Sequence, residues 1–220
     1  MTLRYLIGSL LFLFISQSQP VHAAPAFFSE NGHWYQIIRT WEVDYLNDDG
    51  ISWQDANSFS AELGGYLATV TSSAENEFIV SILDPSDNWI WLGGYQDSGL
   101  VDTGGDNPAT GWRWITGEAW EYTNWARWDD DYYEPNDWTE NQDWYVEDGS
   151  ENYLMMYNYY SENDGNQFGT WNDTDGTSKT IFIVEYDHEP SPVPLPGTGI
   201  LLGAGIIGLM RSRKWSVLNI

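Results

Sequence analysis

Two stretches in the first half of the chain place apolar residues three and four positions apart, which is the spacing of an amphipathic helix. Ser52 is positioned to cap the first helix, and the pair Gly64-Gly65 to end it. The second helix is expected to begin at Ser72 or Ser73 and to end at Asp84-Pro85. The apolar faces are Trp53, Ala56, Phe59 and Leu63 in the first helix, and Phe78, Ile79, Ile82 and Leu83 in the second.

Short runs rich in aromatic residues predict β-strands, one before the helices and four after them. Long polar loops separate the later runs, and the sequence contains no visible internal repeat. Two helices combined with such strands predict an α+β fold. The predicted strands cover residues 33–38, 89–92, 111–115, 153–157 and 181–186.

The first 23 residues have the pattern of a secretory signal peptide. Arg4 supplies the positive charge, Tyr5 to Ile15 an apolar run, and Val21-His22-Ala23 a small-residue cleavage pattern. A permanent membrane anchor is the alternative, but the apolar run is short for a bilayer. We therefore expect residues 1–23 to be a signal peptide and residues 24–188 to form the folded domain.

A proline-rich linker at residues 189–196 follows the domain. Residues 197–214 then combine a glycine-rich apolar stretch with the basic cluster Arg211-Ser-Arg-Lys214. As a helix, Leu195 to Met210 would be about 24 Å long, slightly short for a hydrocarbon core of about 30 Å. We expect a transmembrane or sorting segment whose basic end stays in the cytoplasm. A buried core helix is the alternative, which the many glycines oppose.

The charge of the chain is lopsided, with 33 acidic residues and a formal net charge of −25. All the acids lie between Glu30 and Glu189, where four basic residues oppose them: Arg39, Arg113, Arg127 and Lys179. Such a surface repels phosphate backbones and anionic lipids, which excludes nucleic acid as an expected partner. It attracts cations, although for most of these acids a solubilising role is the better interpretation.

The sequence has no cysteine, so disulfides, thiolate zinc sites and catalytic thiols are excluded. Of the three histidines, His22 lies in the predicted signal peptide and His188 at the edge of the domain. Only His33 is available for a site in the core. A histidine-based hydrolase or zinc enzyme is therefore not expected.

Three short motifs with oxygen-bearing side chains occur in order: Glu134-Pro135-Asn136, Glu151-Asn152 and Trp171-Asn172-Asp173. Calcium takes six to eight oxygen ligands from carboxylates and amide carbonyls. A cis bond before Pro135 would direct both flanking side chains toward one ion. The same amides and carboxylates could hydrogen-bond a sugar with adjacent hydroxyl groups. The alternative for Trp171-Asn172-Asp173, which Gly176 follows, is an ordinary turn.

These motifs, behind the two helices and the run Trp91-Leu92-Gly93-Gly94, resemble the C-type lectin domain over residues 27–187. The resemblance implies a C-type lectin-like fold with two helices, short antiparallel strands and long calcium-binding loops, here without the disulfides usual in the family. It also implies Ca2+ as the cofactor and preference for mannose-, glucose- or fucose-type ligands, because the first motif is Glu-Pro-Asn. The implied calcium and carbohydrate ligands are Glu134, Asn136, Glu151, Asn172 and Asp173, with Asp97 and Asp137 as candidates for an auxiliary calcium site.

The C-terminal order of prolines, a short glycine-rich apolar segment and a basic cluster resembles the PEP-CTERM sorting signal of exported proteins. That resemblance implies transient anchoring in the inner membrane of a Gram-negative bacterium and processing by an exosortase-type peptidase. The product would then reside at the cell surface or in the extracellular matrix, often among exopolysaccharide.

Together these patterns predict an exported, surface-associated lectin that binds carbohydrate with calcium, such as a mannose-type glycan or an exopolysaccharide. The first alternative is a cell-surface or biofilm-matrix adhesin that binds a protein through the same fold. An ice-binding role is a further alternative. An enzyme is not expected, because Glu134 and Glu151, which would be the paired carboxylates of a glycosidase, are assigned to calcium.

Overall fold

The computed structural model describes residues 24–42, 50–96, 109–129, 133–137 and 151–191. The predicted signal peptide and the C-terminal apolar segment lie outside these residues. In the part that is described, no helix has both the length and the apolar character needed to cross a membrane.

The described residues form two α-helices and ten β-strands, which confirms the predicted α+β class. The helices are α1 (Trp53–Glu62) and α2 (Ser73–Ile82), and a short 3-10 helix covers Thr40–Glu42. The strands are β1 (Ala26–Phe28), β2 (His33–Ile38), β3 (Tyr66–Leu67), β4 (Trp89–Gln96), β5 (Trp112–Trp114), β6 (Tyr153–Tyr157), β7 (Tyr160–Ser161), β8 (Gly165–Asn166), β9 (Trp171–Thr174) and β10 (Ile181–Tyr186).

Both helices begin where the sequence predicted. The hydroxyl of Ser52 accepts a hydrogen bond from the backbone N–H of Asp55 at 3.3 Å. The hydroxyl of Ser72 accepts one from the N–H of Glu75 at 3.2 Å. Each contact satisfies a first-turn donor that has no partner within the helix. The two capped helices are therefore fixed at their N-terminal ends by the residues that the pattern identified.

Eight of the strands form one sheet in the order β1-β2-β10-β4-β6-β9, while β3 pairs with β10 and β5 with β4. Neighbouring strands run antiparallel except β10 and β4, which are parallel. All five predicted strands are present, and β4 extends beyond its prediction to Gln96. The short strands β1, β3, β7, β8 and β9 were not predicted.

The hydrophobic core lies on both faces of this sheet. On one face, Ile79 of α2 belongs to a cluster with Leu154 and Trp171. On the other face, Phe59 of α1 belongs to a cluster with Phe182. Since the chain has no cysteine, this packing and the hydrogen bonds hold the domain together without disulfides.

The motif Trp171-Asn172-Asp173 belongs to strand β9, so the alternative of an ordinary turn is wrong. In β9, Asp173 lies opposite Leu154 of β6. The chain turns after the strand at Gly176, whose φ is 78° and where a Cβ atom would lie 2.4 Å from the Tyr153 ring. Only glycine fits there. The Gly176 carbonyl accepts the N–H of Trp53 at 3.1 Å, which brings the start of α1 to the end of β9.

Candidate functional site

The Glu-Pro-Asn segment is attached to the edge of the sheet through backbone hydrogen bonds. The N–H of Glu134 donates to the carbonyl of Ala126 at 2.9 Å, and the N–H of Ala126 donates to the carbonyl of Trp171 at 2.8 Å. The Glu134–Pro135 peptide bond is cis. The first of the three motifs is therefore placed beside the third.

Asp173 fixes the end of this segment with both of its carboxylate oxygens. Oδ1 accepts the backbone N–H of Asn136 at 3.1 Å, and Oδ2 accepts that of Asp137 at 2.8 Å. Asp137 has a φ of 47°, in the left-handed region that Asp tolerates better than most residues. Asp173 is 1% exposed, so these two donors meet a buried carboxylate.

The second motif joins the same group through Asp137. The backbone N–H of Glu151 donates to Oδ1 of Asp137 at 2.8 Å. Asn172 is half-buried, and its Nδ2 donates to the carbonyl of Asp173 at 2.6 Å. We call the carboxylates of Glu134, Asp137, Glu151 and Asp173 the loop cluster. This cluster lies next to Asn136 and Asn172.

Electrostatic repulsion inside the loop cluster is incompletely balanced. Burial, reinforced by the negative charges of Asp173 and Glu151, raises the pKa of Glu134 far above its ordinary value. Burial also raises the pKa of Asp173, although hydrogen bonds from the backbone of Asp137 and Asn136 oppose the shift. Oε2 of Glu134 is buried and accepts no hydrogen bond. Buried acceptors normally have a partner, so this oxygen marks where one is needed.

The structure brings the predicted ligands Glu134, Asn136, Glu151 and Asp173 together and places Asn172 beside them. The auxiliary candidate Asp137 is a buried link between two of the motifs, and its role as a calcium ligand stays a prediction. The other auxiliary candidate, Asp97, lies outside the described residues.

The chemistry of these side chains is that of a hard-cation site. Carboxylate and amide oxygens are the ligands that calcium takes. Within the described ranges, no group of three or more His, Cys, Asp or Glu side chains is arranged to hold a metal ion. Two of the five predicted ligands, Asn136 and Asn172, are amides, so the predicted calcium site would use amide oxygens as well as carboxylates.

Sequence reasoning missed an exposed pair beside the site. Tyr133 directly precedes Glu134, and half of its surface is exposed. The guanidinium carbon of Arg127 lies 5.5 Å from the centre of the Tyr133 ring, and the two residues form an antiparallel bridge. The aromatic residue immediately before Glu-Pro-Asn is the signal that could have identified this pair.

A second pair of buried carboxylates lies in the core, away from the three motifs. Glu75 and Glu185 are 2% and 1% exposed, and both accept hydrogen bonds from the hydroxyl of Tyr35. Glu185 also accepts the backbone N–H of Thr69 at 2.8 Å and lies 2.5 Å from Nδ1 of His33. We call these five residues the core network.

Protein donors surround the carboxylates of the core network. Oε2 of Glu75 accepts the backbone N–H of Thr71 at 2.7 Å, and Asn31 donates to Oε1 at 3.1 Å. Burial nevertheless raises the pKa of Glu185 to about 7. Burial would lower the pKa of His33, but the hydrogen bond and negative charge of Glu185 outweigh it and raise that pKa. The network ties β2 and β10 to α2.

Known proteins share part of this sequence. The rat "C-type lectin domain family 4 member F" is 36% identical over 78 residues, which is 36% of this chain and 12% of that protein. The "Perlucin-like protein" of Mytilus galloprovincialis is 32% identical over 84 residues, which is 38% of this chain and 50% of that protein. This chain therefore covers half or less of the length of these relatives.

Solved structures show the same fold at lower identity. The carbohydrate-recognition domain of the mouse scavenger receptor C-type lectin superposes with a TM-score of 0.51 at 17% identity, covering 75% of this chain and 96% of that domain. The human counterpart gives a TM-score of 0.50 at 18% identity, over 74% of this chain and 96% of that domain. The predicted C-type lectin-like fold is confirmed.

Two family models match the sequence in succession. The PEP-CTERM protein-sorting motif matches residues 192–214, which confirms the resemblance of the C-terminal segment. The lectin C-type domain matches residues 49–185, which is more than half of the chain and includes all three motifs of the site. The chain belongs to the C-type lectin domain family.

Proposed function

We propose that this protein binds carbohydrate in a calcium-dependent manner through Glu134, Asn136, Glu151, Asn172 and Asp173. The observation that carries the proposal is the buried Oε2 of Glu134, which accepts no hydrogen bond. The charged groups near Glu134 are the carboxylates of Asp173 and Glu151. A cation at this position would complete the contacts of Glu134 and offset the repulsion among the carboxylates. Membership of the C-type lectin domain family supports the same function.

The residues of the site have separate tasks in this proposal. Glu134, Glu151 and Asp173 provide negative charge, and the amides of Asn136 and Asn172 provide neutral oxygens. Bound calcium would supply a Lewis-acidic centre for adjacent sugar hydroxyls. Lone pairs of the carboxylates and N–H groups of the amides would hydrogen-bond the same hydroxyls. No proton is transferred, so the site needs no catalytic group.

The proposed ligand class is the mannose, glucose or fucose type, because the first motif reads Glu134-Pro135-Asn136. A mannose-type glycan or an exopolysaccharide would present such sugars. The auxiliary calcium ligands Asp97 and Asp137 belong to this proposal as well, although Asp137 already links two motifs through its hydrogen bonds.

Export and surface association complete the proposal. The sorting motif at residues 192–214 supports processing by an exosortase-type peptidase of a Gram-negative bacterium. Residues 1–23 would direct secretion, residues 24–188 would form the lectin domain, and residues 189–196 would link it to residues 197–214. That last segment would hold the chain in the inner membrane until processing places it at the cell surface or in the matrix.

Retention on immobilised mannose tests the proposed function. The purified protein should be retained in calcium and released by a chelator. Asn172→Ala should remove retention, because one amide ligand is lost while the buried carboxylates stay in place. The matched control is Asn88→Ala, since Asn88 is an exposed asparagine beside β4 at the opposite end of the sheet.

Two results would contradict the assignment. Retention that survives Asn172→Ala would show that other residues bind the sugar. Failure of the wild-type protein on mannose, glucose and fucose supports would favour the alternative of an adhesin that recognises a protein partner. Thermal unfolding of both variants establishes that any loss comes from the site and not from the fold.

A further inference from the structure

Both halves of the proposed calcium site are attached to Trp171, the first residue of β9. Asn172 and Asp173 follow it directly along the strand. The carbonyl of Trp171 accepts the N–H of Ala126 at 2.8 Å, and the carbonyl of Ala126 accepts the N–H of Glu134 at 2.9 Å. Glu134 is therefore joined to Trp171 by hydrogen bonds and Asp173 by covalent bonds, so a tilt of Trp171 would change the separation of the two carboxylates.

A buried amide of α2 holds the side chain of Trp171. The indole N–H of Trp171 donates to Oδ1 of Asn76 at 3.0 Å, and Nδ2 of Asn76 donates to the carbonyl of Gly169 at 3.1 Å. Asn76 is 5% exposed, and Trp171 is fully buried. An indole N–H can only donate and a carbonyl can only accept, so an amide, which carries an oxygen and an NH2 group, meets both partners. Asn76 thus holds the first residue of β9 and the turn that precedes the strand.

Gly169 allows α2 to come close to this turn. Its φ is 75°, and a Cβ atom there would lie 2.6 Å from Nδ2 of Asn76, so a side chain at this position would push the helix away. The carbonyl of Gly169 also accepts Nδ2 of Asn124 at 2.7 Å, and the carbonyl of Asn124 accepts the N–H of Trp171 at 2.8 Å. Helix α2, the segment 124–126 and the start of β9 therefore meet at one point.

We propose that Asn76 is a positioning residue for the calcium site. Through Trp171 it holds Glu134 and Asp173 at the separation that one calcium ion requires. The inference rests on the proposed calcium-dependent sugar binding and adds a residue of α2 to it. Both polar atoms of the Asn76 amide are bonded within the core, so its effect reaches the ion through the placement of the ligands. Residues that orient metal ligands from behind commonly change metal affinity by tenfold or more when they are removed.

Two buried asparagines provide a matched pair of variants. Asn76→Ala removes the bonds to Trp171 and Gly169. Asn158→Ala also removes a buried amide, but Nδ2 of Asn158 donates to the carbonyls of Asp84 at 3.2 Å and Asp87 at 2.9 Å, in the loop that follows α2. The calcium dissociation constant of the full chain is measured by calorimetry, and stability by urea denaturation.

The two variants should lose stability alike but differ in calcium affinity. Each leaves buried backbone or indole groups without their partner, so the midpoint of urea denaturation should fall by similar amounts. Asn76→Ala is expected to raise the calcium dissociation constant about tenfold, and Asn158→Ala by less than about twofold. Excess calcium should restore mannose binding to Asn76→Ala, because all five proposed ligands are present, whereas it should not restore Asn172→Ala.

A pair of tryptophans tests the route through the indole nitrogen and serves if Asn76→Ala does not fold. The Trp114 ring lies 5.8 Å from the Trp171 ring, and Nε1 of Trp114 has no hydrogen-bond partner in the described part of the chain. Both Trp→Phe changes remove similar bulk from one aromatic cluster, but only Trp171→Phe breaks the bond to Asn76. Trp171→Phe should raise the calcium dissociation constant about fivefold, and Trp114→Phe by less than about twofold.

The double variant Asn76→Ala/Trp171→Phe completes the cycle. Because both changes remove the same hydrogen bond, it should bind calcium less than about twofold more weakly than Asn76→Ala alone. Fully additive effects, or equal losses of calcium affinity in Asn76→Ala and Asn158→Ala, would overturn the inference and leave the proposed function intact. Unchanged calcium affinity in Asn76→Ala would do the same. A wild-type protein that binds no calcium would overturn the proposed function and the inference with it.

Discussion

The loop cluster and the core network both contain buried carboxylates, but the hydrogen-bond partners of these carboxylates differ. In the core network, donors from Tyr35, Thr69 and His33 surround Glu185. In the loop cluster, Oε2 of Glu134 accepts no hydrogen bond, and its nearest charged neighbours are also acidic. In the first arrangement donors of the chain meet the carboxylates, whereas the second leaves one buried carboxyl oxygen without a donor.

This difference separates a structural role from a binding role. A buried carboxylate whose oxygens meet protein donors connects elements of the fold, as Glu185 connects β10 to β2 and to Thr69. A buried carboxylate with an open oxygen is destabilising until a ligand binds. The two regions should therefore respond in opposite ways when a carboxylate is removed or calcium is added.

The largest effect is expected from Glu185→Ala. This change removes the acceptor of the Thr69 N–H and the partner of His33, while the Tyr35 hydroxyl keeps Glu75 as its acceptor. The unsatisfied Thr69 N–H and the lost contacts of Glu185 should lower the free energy of unfolding by about 3 kcal/mol, measured by urea denaturation. Glu62→Ala, at an exposed position of α1, should change it by less than about 0.5 kcal/mol. If both variants lost a similar amount of unfolding free energy, the hydrogen bonds of Glu185 would not stabilise the fold more than an exposed glutamate does.

Glu134→Gln is expected to act in the opposite direction. Without calcium it replaces a buried carboxyl group whose pKa is strongly raised by burial and by Asp173, and it should leave the domain at least as stable as the wild type. Calcium at a hundred times its dissociation constant should stabilise the wild type by about 2.7 kcal/mol and the variant by much less. Thermal unfolding with calcium and with chelator measures both quantities. If calcium stabilised the two proteins equally, Glu134 would not be a calcium ligand.

The pH dependence of the core network follows from the raised pKa of Glu185, about 7 in the folded protein. Because this pKa exceeds the pKa of Glu185 in the unfolded chain, the stability that Glu185 contributes is fully present below about pH 4.5. That stability is lost as the pH rises through 7. The raised pKa of His33 acts in the same direction. In saturating calcium, the stability of the wild type relative to Glu185→Gln should fall by about 2 kcal/mol between pH 4.5 and pH 8. A constant or rising difference over this range would contradict the assignment.

The smallest effect is expected from Tyr35→Phe. The hydroxyl of Tyr35 is shared by Glu75 and Glu185, which keep other donors when it is lost. The free energy of unfolding should fall by about 1 kcal/mol, while calcium affinity stays unchanged. Urea denaturation and calcium calorimetry check the two statements. A change in calcium affinity would mean that the two regions are coupled.

Most of the fold could be predicted from the sequence because local signals specify it. Ser52 and Ser72 cap their helices, and the predicted apolar faces pack against the core. Four of their residues are buried and four are half-buried: Trp53, Ala56, Phe59 and Ile79, and Leu63, Phe78, Ile82 and Leu83. Strand β9 was less clear, because Trp171-Asn172-Asp173 has the composition of a turn. Its pairing with β6, about 17 residues earlier in the chain, decides its structure, and local propensity does not contain that information.

The residues of the candidate site were predicted from three sequence motifs, and the hydrogen bonds that connect these motifs were not predicted. The three motifs meet as expected, but the link through Asp137 depends on a backbone turn that the sequence does not reveal. The core network was missed, because Glu75 and Glu185 read as ordinary acids of a strongly acidic chain. Both hydrogen-bond to Tyr35, which is 40 residues from Glu75 and 150 from Glu185, so the local sequence does not reveal the contact.

A crystal structure of the protein grown in calcium with a mannoside would show whether calcium and sugar bind together at the loop cluster. We expect one ion bound by oxygens of Glu134 and Asp173 at about 2.3–2.6 Å, with Oε2 of Glu134 among its ligands. Two sugar hydroxyls should bind the same ion. A loop cluster that holds no ion at saturating calcium, or a sugar bound elsewhere on the domain, would contradict the proposed function.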